Sequence, residues 1–139
     1  QEKYKKLIEI FTLCDEDVKL HTYSDCEITP LDVERHSIVV FDDICGPNIP
    51  LFFSMGRHRN INSFYLCQSY SKVQKHLRDN VNFLILFKQD DLNLKHIYNN
   101  HVGNDFTFQQ FRNLCHQCWD SARFGFFVID KERAKNNGK

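Results

Sequence analysis

Asp42 and Asp43 follow directly on the apolar run Ile38-Val39-Val40-Phe41. Adjacent carboxylates at the end of an apolar strand repel each other and lose hydration, which is a poor arrangement for stability alone. A hydrated divalent cation with bound phosphate resolves that conflict, and the second carboxylate can then draw a proton from an attacking water. Gln68 ends the next apolar run, Phe64-Tyr65-Leu66-Cys67, with an amide able to donate and accept at once. Each feature has a plain alternative: aspartates also cap turns, and a strand-end glutamine is often only a loop-facing polar residue. Together they form a constellation, provided that both strands belong to one sheet.

The elements that must position these groups are legible in outline. Ser37–Phe41 predicts a strand without polar alternation, buried on both faces as in a parallel sheet, where ligands dock beyond the carboxyl ends. Further strands are predicted over Ser63–Cys67, Val81–Phe87 and Phe126–Ile129, and an ambiguous one over Leu20–Ile28 before Pro30. Helices are predicted over Lys3–Leu13, Ile49–Arg57, Ser71–Asp79 (capped by Ser71), Leu92–Val102 and Phe106–Ala122 (capped by Asp105). Residues 131–139 read as a polar tail. Alternating strands and helices predict an α/β fold, a mostly parallel sheet with helices on both faces.

The order of these pieces carries a resemblance. A strand ending in Asp42-Asp43 leads to a helix ending in Gly56-Arg57-His58-Arg59-Asn60-Ile61, then to a strand ending in Gln68-Ser69-Tyr70. A basic helix ending in Leu77-Arg78-Asp79-Asn80 and another apolar strand follow. From about Glu34 to Asp130 the chain resembles the second half of an FtsK/HerA-type P-loop motor ATPase. It is most similar to the DNA-packaging enzymes of poxvirus-type, giant-virus and Maverick/Polinton elements. The resemblance implies a RecA/FtsK-like core with ATP and Mg2+ as cofactors. It makes Asp42 the water-mediated Mg2+ carboxylate, Asp43 the water-activating acid and Gln68 the γ-phosphate sensor. It also implies a homo-oligomeric ring, backbone contacts to double-stranded DNA, and capsid or portal partners, in an intracellular reducing setting such as a viral factory, nucleus or virion. Arg57, Arg59 and Arg78 are the candidates for an arginine acting on a neighbour's nucleotide. Relatives of this type can carry that arginine on the strand matching Phe83–Phe87, which has none here.

The phosphate-binding half is not in these residues. No Gly-x-x-x-x-Gly-Lys-Ser/Thr occurs, and the first glycine is Gly46. The expectation is therefore the carboxyl-terminal portion of one P-loop ATPase domain spanning 1–139, without its P-loop unit. A chain beginning at Gln1 suits a processed product or fragment. The alternatives are an inactive remnant or interaction module of such an ATPase, and a two-metal nuclease using Asp42, Asp43, Asp90 and Asp91.

Composition narrows the class further. Zero formal net charge predicts no bulk attraction to polyanions, yet Arg57, Arg59, Lys72, Lys75 and Arg78 form a strip without an intervening acid. That strip can face phosphates or simply be solvated. A content of 42% hydrophobic residues supports a packed core, and no apolar run is long enough to cross a membrane. Six cysteines without a loop-rich scaffold read as reduced thiols. Cys115-His116-Gln117-Cys118 has zinc-like spacing, but one such pair supplies only part of a four-ligand site.

Overall fold

A computed structural model describes residues 2–13, 19–23, 27–103 and 106–132. The elements run α1 (Glu2–Leu13), β1 (Ile38–Asp42), α2 (Ile49–Met55), β2 (Asn62–Leu66), α3 (Lys75–Asn80), β3 (Phe83–Leu86), α4 (Asp91–His101), α5 (Phe108–Asp120) and β4 (Phe127–Asp130). Short 3-10 turns at Gly56–Arg59 and Tyr70–Lys72 precede β2 and α3. The fold is mixed α/β, with its strands in two pairs. β1 and β2 are parallel, with Phe41 opposite Tyr65 and Asp42 opposite Leu66. β3 and β4 are antiparallel, with Leu86 opposite Phe127.

Each pair is covered on one face. Under β1–β2, Phe41 packs with Ile49 and Phe52 of α2, Ile61, and Leu77 of α3, with the Phe41 and Phe52 rings edge to face at 5.0 Å. Under β3–β4, Leu86 packs with Leu94 and Ile97 of α4 and with Phe111, Cys115 and Trp119 of α5. Trp119 donates its indole N–H to the Leu86 carbonyl at 2.7 Å. Arg78, on α3, stacks 4.9 Å over the ring of Tyr70 from the second core, which ties the two halves together. From the far end of the chain, the Lys131 ammonium donates to the carbonyls of Arg78 (2.9 Å) and Asp79 (3.1 Å) in the last turn of α3.

Several predicted features are corrected. β1 is not buried on both faces: Ile38 is 69% and Val40 52% exposed. Phe64, Leu66, Phe83, Ile85 and Val128 are likewise open to solvent. Strand parity sends alternate residues to opposite faces, and among the described residues helices cover only one of them. Among the described residues only β1–β2 is parallel; two helices, α4 and α5, separate β3 from β4, and β4 runs against β3. A Cβ at Gly125 would lie 2.2 Å from the Cys118 carbonyl oxygen, so no other residue fits unaltered. Within Leu20–Ile28, the described residues 20–23 and 27–28 form no strand, and 24–26 lie outside the described set.

The helix expected to start at Ser71 starts at Lys75. Gln74 occupies its cap position without a side-chain bond. The helix expected to run to Arg57 ends as α at Met55 and tightens into a 3-10 turn, closed by Asn60 in the left-handed region. Thr107, not Asp105, caps α5, through a reciprocal box with Gln110. Asp105 itself lies outside the described residues, as do 133–139 of the expected tail.

Candidate functional site

Parallel pairing puts the ends of β1 and β2 at one rim, and the ladder continues one residue beyond β1. The Asp43 amide donates to the Leu66 carbonyl at 2.9 Å. Asp43 then turns the chain with φ 53, a left-handed conformation that aspartate tolerates better than most residues. That turn presents its carboxylate to Gln68, whose Nε2 donates to Asp43 Oδ2 at 3.0 Å. Both side chains are exposed. Two residues singled out 25 positions apart thus meet at the carboxyl rim of adjacent strands.

Asp42, half-buried beside them, accepts from the hydroxyl of Tyr4 on α1. The helix predicted over Lys3–Leu13 does not announce this contact, since helical periodicity does not reveal what a phenol tip touches. Tyr65, from β2, donates its hydroxyl to the Ile44 carbonyl at 2.9 Å and braces the turn after Asp43 from below. Withdrawal from water pushes the Tyr65 phenol up to about 12, with Cys45, Cys67 and Asp43 adding to the effect. Loss of hydration, followed by the Asp43 charge, also pushes the Cys67 thiol up, so this thiol stays protonated at neutral pH.

The turn that carries Gln68 is held from behind. Asn93, in the first turn of α4, is only 8% exposed. Its side-chain carbonyl accepts from the Ser69 hydroxyl and the Ser71 amide, both at 3.3 Å. Its NH2 donates to Asp90 at 2.8 Å. Asp90 caps α4 through the Asn93 amide at 2.8 Å, and these bonds hold the Asp90 carboxyl below its usual range. The spacing Asp90-x-x-Asn93 announces the cap, but nothing local announces Ser69 and Ser71 as partners.

The arginines lie elsewhere. Arg57 and Arg59 sit on the 3-10 turn before β2, hence at the amino end of the parallel pair, opposite the acid rim. Five extended residues separate the two ends by roughly 16 Å. Arg59 donates to the Val33 carbonyl at 3.1 Å and braces the 33–36 loop, while Arg57 is exposed. Arg78 stacks on Tyr70. The structure therefore brings Asp43 and Gln68 together, with Asp42 next in the chain, and sets Arg57 and Arg59 at the opposite end of the strands, while Arg78 is engaged with Tyr70.

Other sequence candidates are accounted for by local structure. Asp91 pairs with Arg112 at 2.7 Å, which holds the Asp91 carboxyl down. Cys115 is fully buried in the second core, and burial pushes its thiol up to about 11. Cys45, Cys67, Cys115 and Cys118 are free thiols. Among the described residues, no group of three His, Cys, Asp or Glu could hold a metal ion, and no helix is long and apolar enough to cross a membrane. Mg2+ needs few protein ligands when phosphates and water complete its octahedron, and the hard oxygens of Asp42 and Asp43 fit that kind of binding. A cleft of about 50 Å³ beside the rim, lined by Cys45, Gly46, Tyr65, Lys72 and Gln74, is far too small for a nucleotide.

In comparisons with known proteins, no family model, no curated protein and no solved structure matches this chain.

Proposed function

We propose that this chain is the carboxyl-terminal portion of a P-loop ATPase of the FtsK/HerA kind, working as a motor that packages viral double-stranded DNA. The observation carrying the reading is the 3.0 Å bond between Gln68 and Asp43 across the carboxyl rim of two adjacent parallel strands. An acid that accepts a proton from water and an amide that holds that water against the γ-phosphate must stand within one water molecule of each other. In the intact enzyme Asp42 would help hold Mg2+, and a bound nucleotide would supply the phosphoryl group. Asp43 takes the proton of the attacking water, and Gln68 orients that water. The phosphate-binding loop comes from residues outside these 139, which suits the small cleft and the uncovered apolar faces of both strand pairs. Arg57 and Arg59, at the opposite end of the strands from their own chain's acid pair, and Arg78, stacked on Tyr70, serve a neighbouring subunit or the DNA backbone.

The test is Mg2+-dependent ATP hydrolysis by the complete protein. Asp43→Asn abolishes turnover while sparing nucleotide binding, and Gln68→Ala lowers turnover in the same way. A complete protein with no phosphate-binding loop, or an Asp43→Asn variant with undiminished hydrolysis, overturns the reading. The alternative of an inactive remnant or interaction module draws on the same missing loop, and it predicts no turnover from the complete wild-type protein. The nuclease reading is disfavoured by Asp90 and Asp91, which are committed to Asn93 and Arg112.

A further inference from the structure

We propose that Asn93 is a positioning residue for Gln68, acting through the Ser69–Ser71 turn. This rests on the reading that Gln68 works at Asp43, and it adds a residue that no feature of the acid-strand pattern points to.

Gln68 is exposed, and the single bond from its Nε2 to Asp43 would not by itself hold a five-atom side chain in one place. Its backbone position depends on the turn that follows. Ser69 is extended at φ −137 and ψ 125, and the chain then tightens into the 3-10 turn at Tyr70–Lys72. The Asn93 carbonyl oxygen reaches both sides of that switch, accepting from the Ser69 hydroxyl and the Ser71 amide. The Ser69 and Ser71 hydroxyls also bond each other at 2.9 Å. On its other side Asn93 is tied to Asp90 twice, by its backbone amide and by its side-chain NH2, and the second bond together with the two to its carbonyl oxygen fixes which way the carboxamide faces. A buried amide with both ends satisfied is a rigid spacer, and here it joins α4 to the strand-end turn. α4 is itself anchored by Leu94 and Ile97, which are fully buried. Gln68 is thereby referenced to the second core, while Asp43 is referenced to the first.

The acceptor and donor ends of Asn93 can be separated experimentally. Asn93→Ala removes both ends. Asn93→Asp keeps an acceptor for Ser69 and Ser71 but sets a carboxylate against Asp90 in place of the donor. NMR of the protein without nucleotide reads the Gln68 side-chain NH2 resonances directly. In wild type they are shifted from those of a free glutamine amide and give cross-relaxation to the residues around Asp43. In Asn93→Ala they move to free-amide values and lose that cross-relaxation, whereas in Asn93→Asp they stay near the wild-type positions. A residue that served only to support the Asp90 cap would disturb Gln68 at least as much in Asn93→Asp as in Asn93→Ala, because both lose the side-chain bond to Asp90 and the aspartate adds repulsion.

Ser69→Ala, which trims one of the two bonds to the Asn93 oxygen at a side chain outside the core, covers the case in which Asn93→Ala does not fold. It shifts the Gln68 resonances part of the way to free values. Gln68 resonances unmoved in Ser69→Ala and in any folded Asn93→Ala sample, or an Asn93→Asp protein that loses them, overturn the proposal. Because no nucleotide is involved, that failure leaves the ATPase reading standing, whereas failed hydrolysis removes the catalytic purpose and leaves only the placement of Gln68 by Asn93.

Discussion

The Tyr70 hydroxyl and His101 Nε2 lie 2.6 Å apart, with their rings edge to face at 5.7 Å. A neutral imidazole can accept the phenol proton at Nε2, whereas an imidazolium cannot.

Partial burial first, then the Lys131 and Arg78 cations, against a smaller opposing pull from Asp79, together push His101 down to about 4. The unfolded chain, with an ordinary histidine near 6.5, binds the proton more readily. Stability from this group is therefore complete above about pH 6.5, declines as pH falls toward 4, and levels off below. Allowing for half exposure to water, the loss is on the order of 1–2 kcal/mol. Thermal melts from pH 7.5 to 4.5 should show wild type losing more stability than His101→Gln, and parallel curves would remove His101 as the cause.

Asp43 occupies the left-handed region at φ 53. Asparagine accepts that conformation and can still accept from Gln68, so Asp43→Asn should change stability by less than about 0.5 kcal/mol. A β-branched residue does not accept it, and Asp43→Val should cost about 1–2 kcal/mol. Urea unfolding of the two variants checks this, and equal midpoints would contradict it. The expected tolerance also makes Asp43→Asn a clean probe of charge in hydrolysis assays.

Trp119 is 5% exposed and satisfies the Leu86 carbonyl. Trp119→Phe keeps an aromatic ring but orphans that carbonyl and leaves a cavity, so it should destabilise by about 2–4 kcal/mol. Calorimetry that found no loss would mean water or another donor reaches Leu86.

Gly125→Ala should destabilise by at least about 1–3 kcal/mol, because the new methyl meets backbone oxygens of Cys118 and Trp119 that cannot swing aside. The damage should appear first in amide exchange at β4. Protection there equal to wild type would contradict the close approach.

The residues themselves revealed the four strands and placed Asp43 and Gln68 at strand ends, because β-branched and aromatic runs have few other uses. The sense of β4 was hidden, since a run such as Phe127-Val128-Ile129 reads the same in either direction and the pairing depends on how α4 and α5 stack between β3 and β4. The uncovered side of β1 was hidden as well. Ile38 and Val40 have the chemistry of buried residues, and composition does not say whether anything covers them. Ser71 misled as a helix cap because its amide is drawn into the contact with Asn93, a partner 22 residues away.

A helix of six residues has no persistence of its own in water. α3 has its carbonyl end finished by Lys131, more than fifty positions downstream. Leu77 ties α3 to the first core and Lys131 finishes its last turn, so during refolding protection of that last turn should be complete only when β4 arrives. A ribosome that has not yet released Lys131 would be holding a chain in which the last turn of α3 is unfinished.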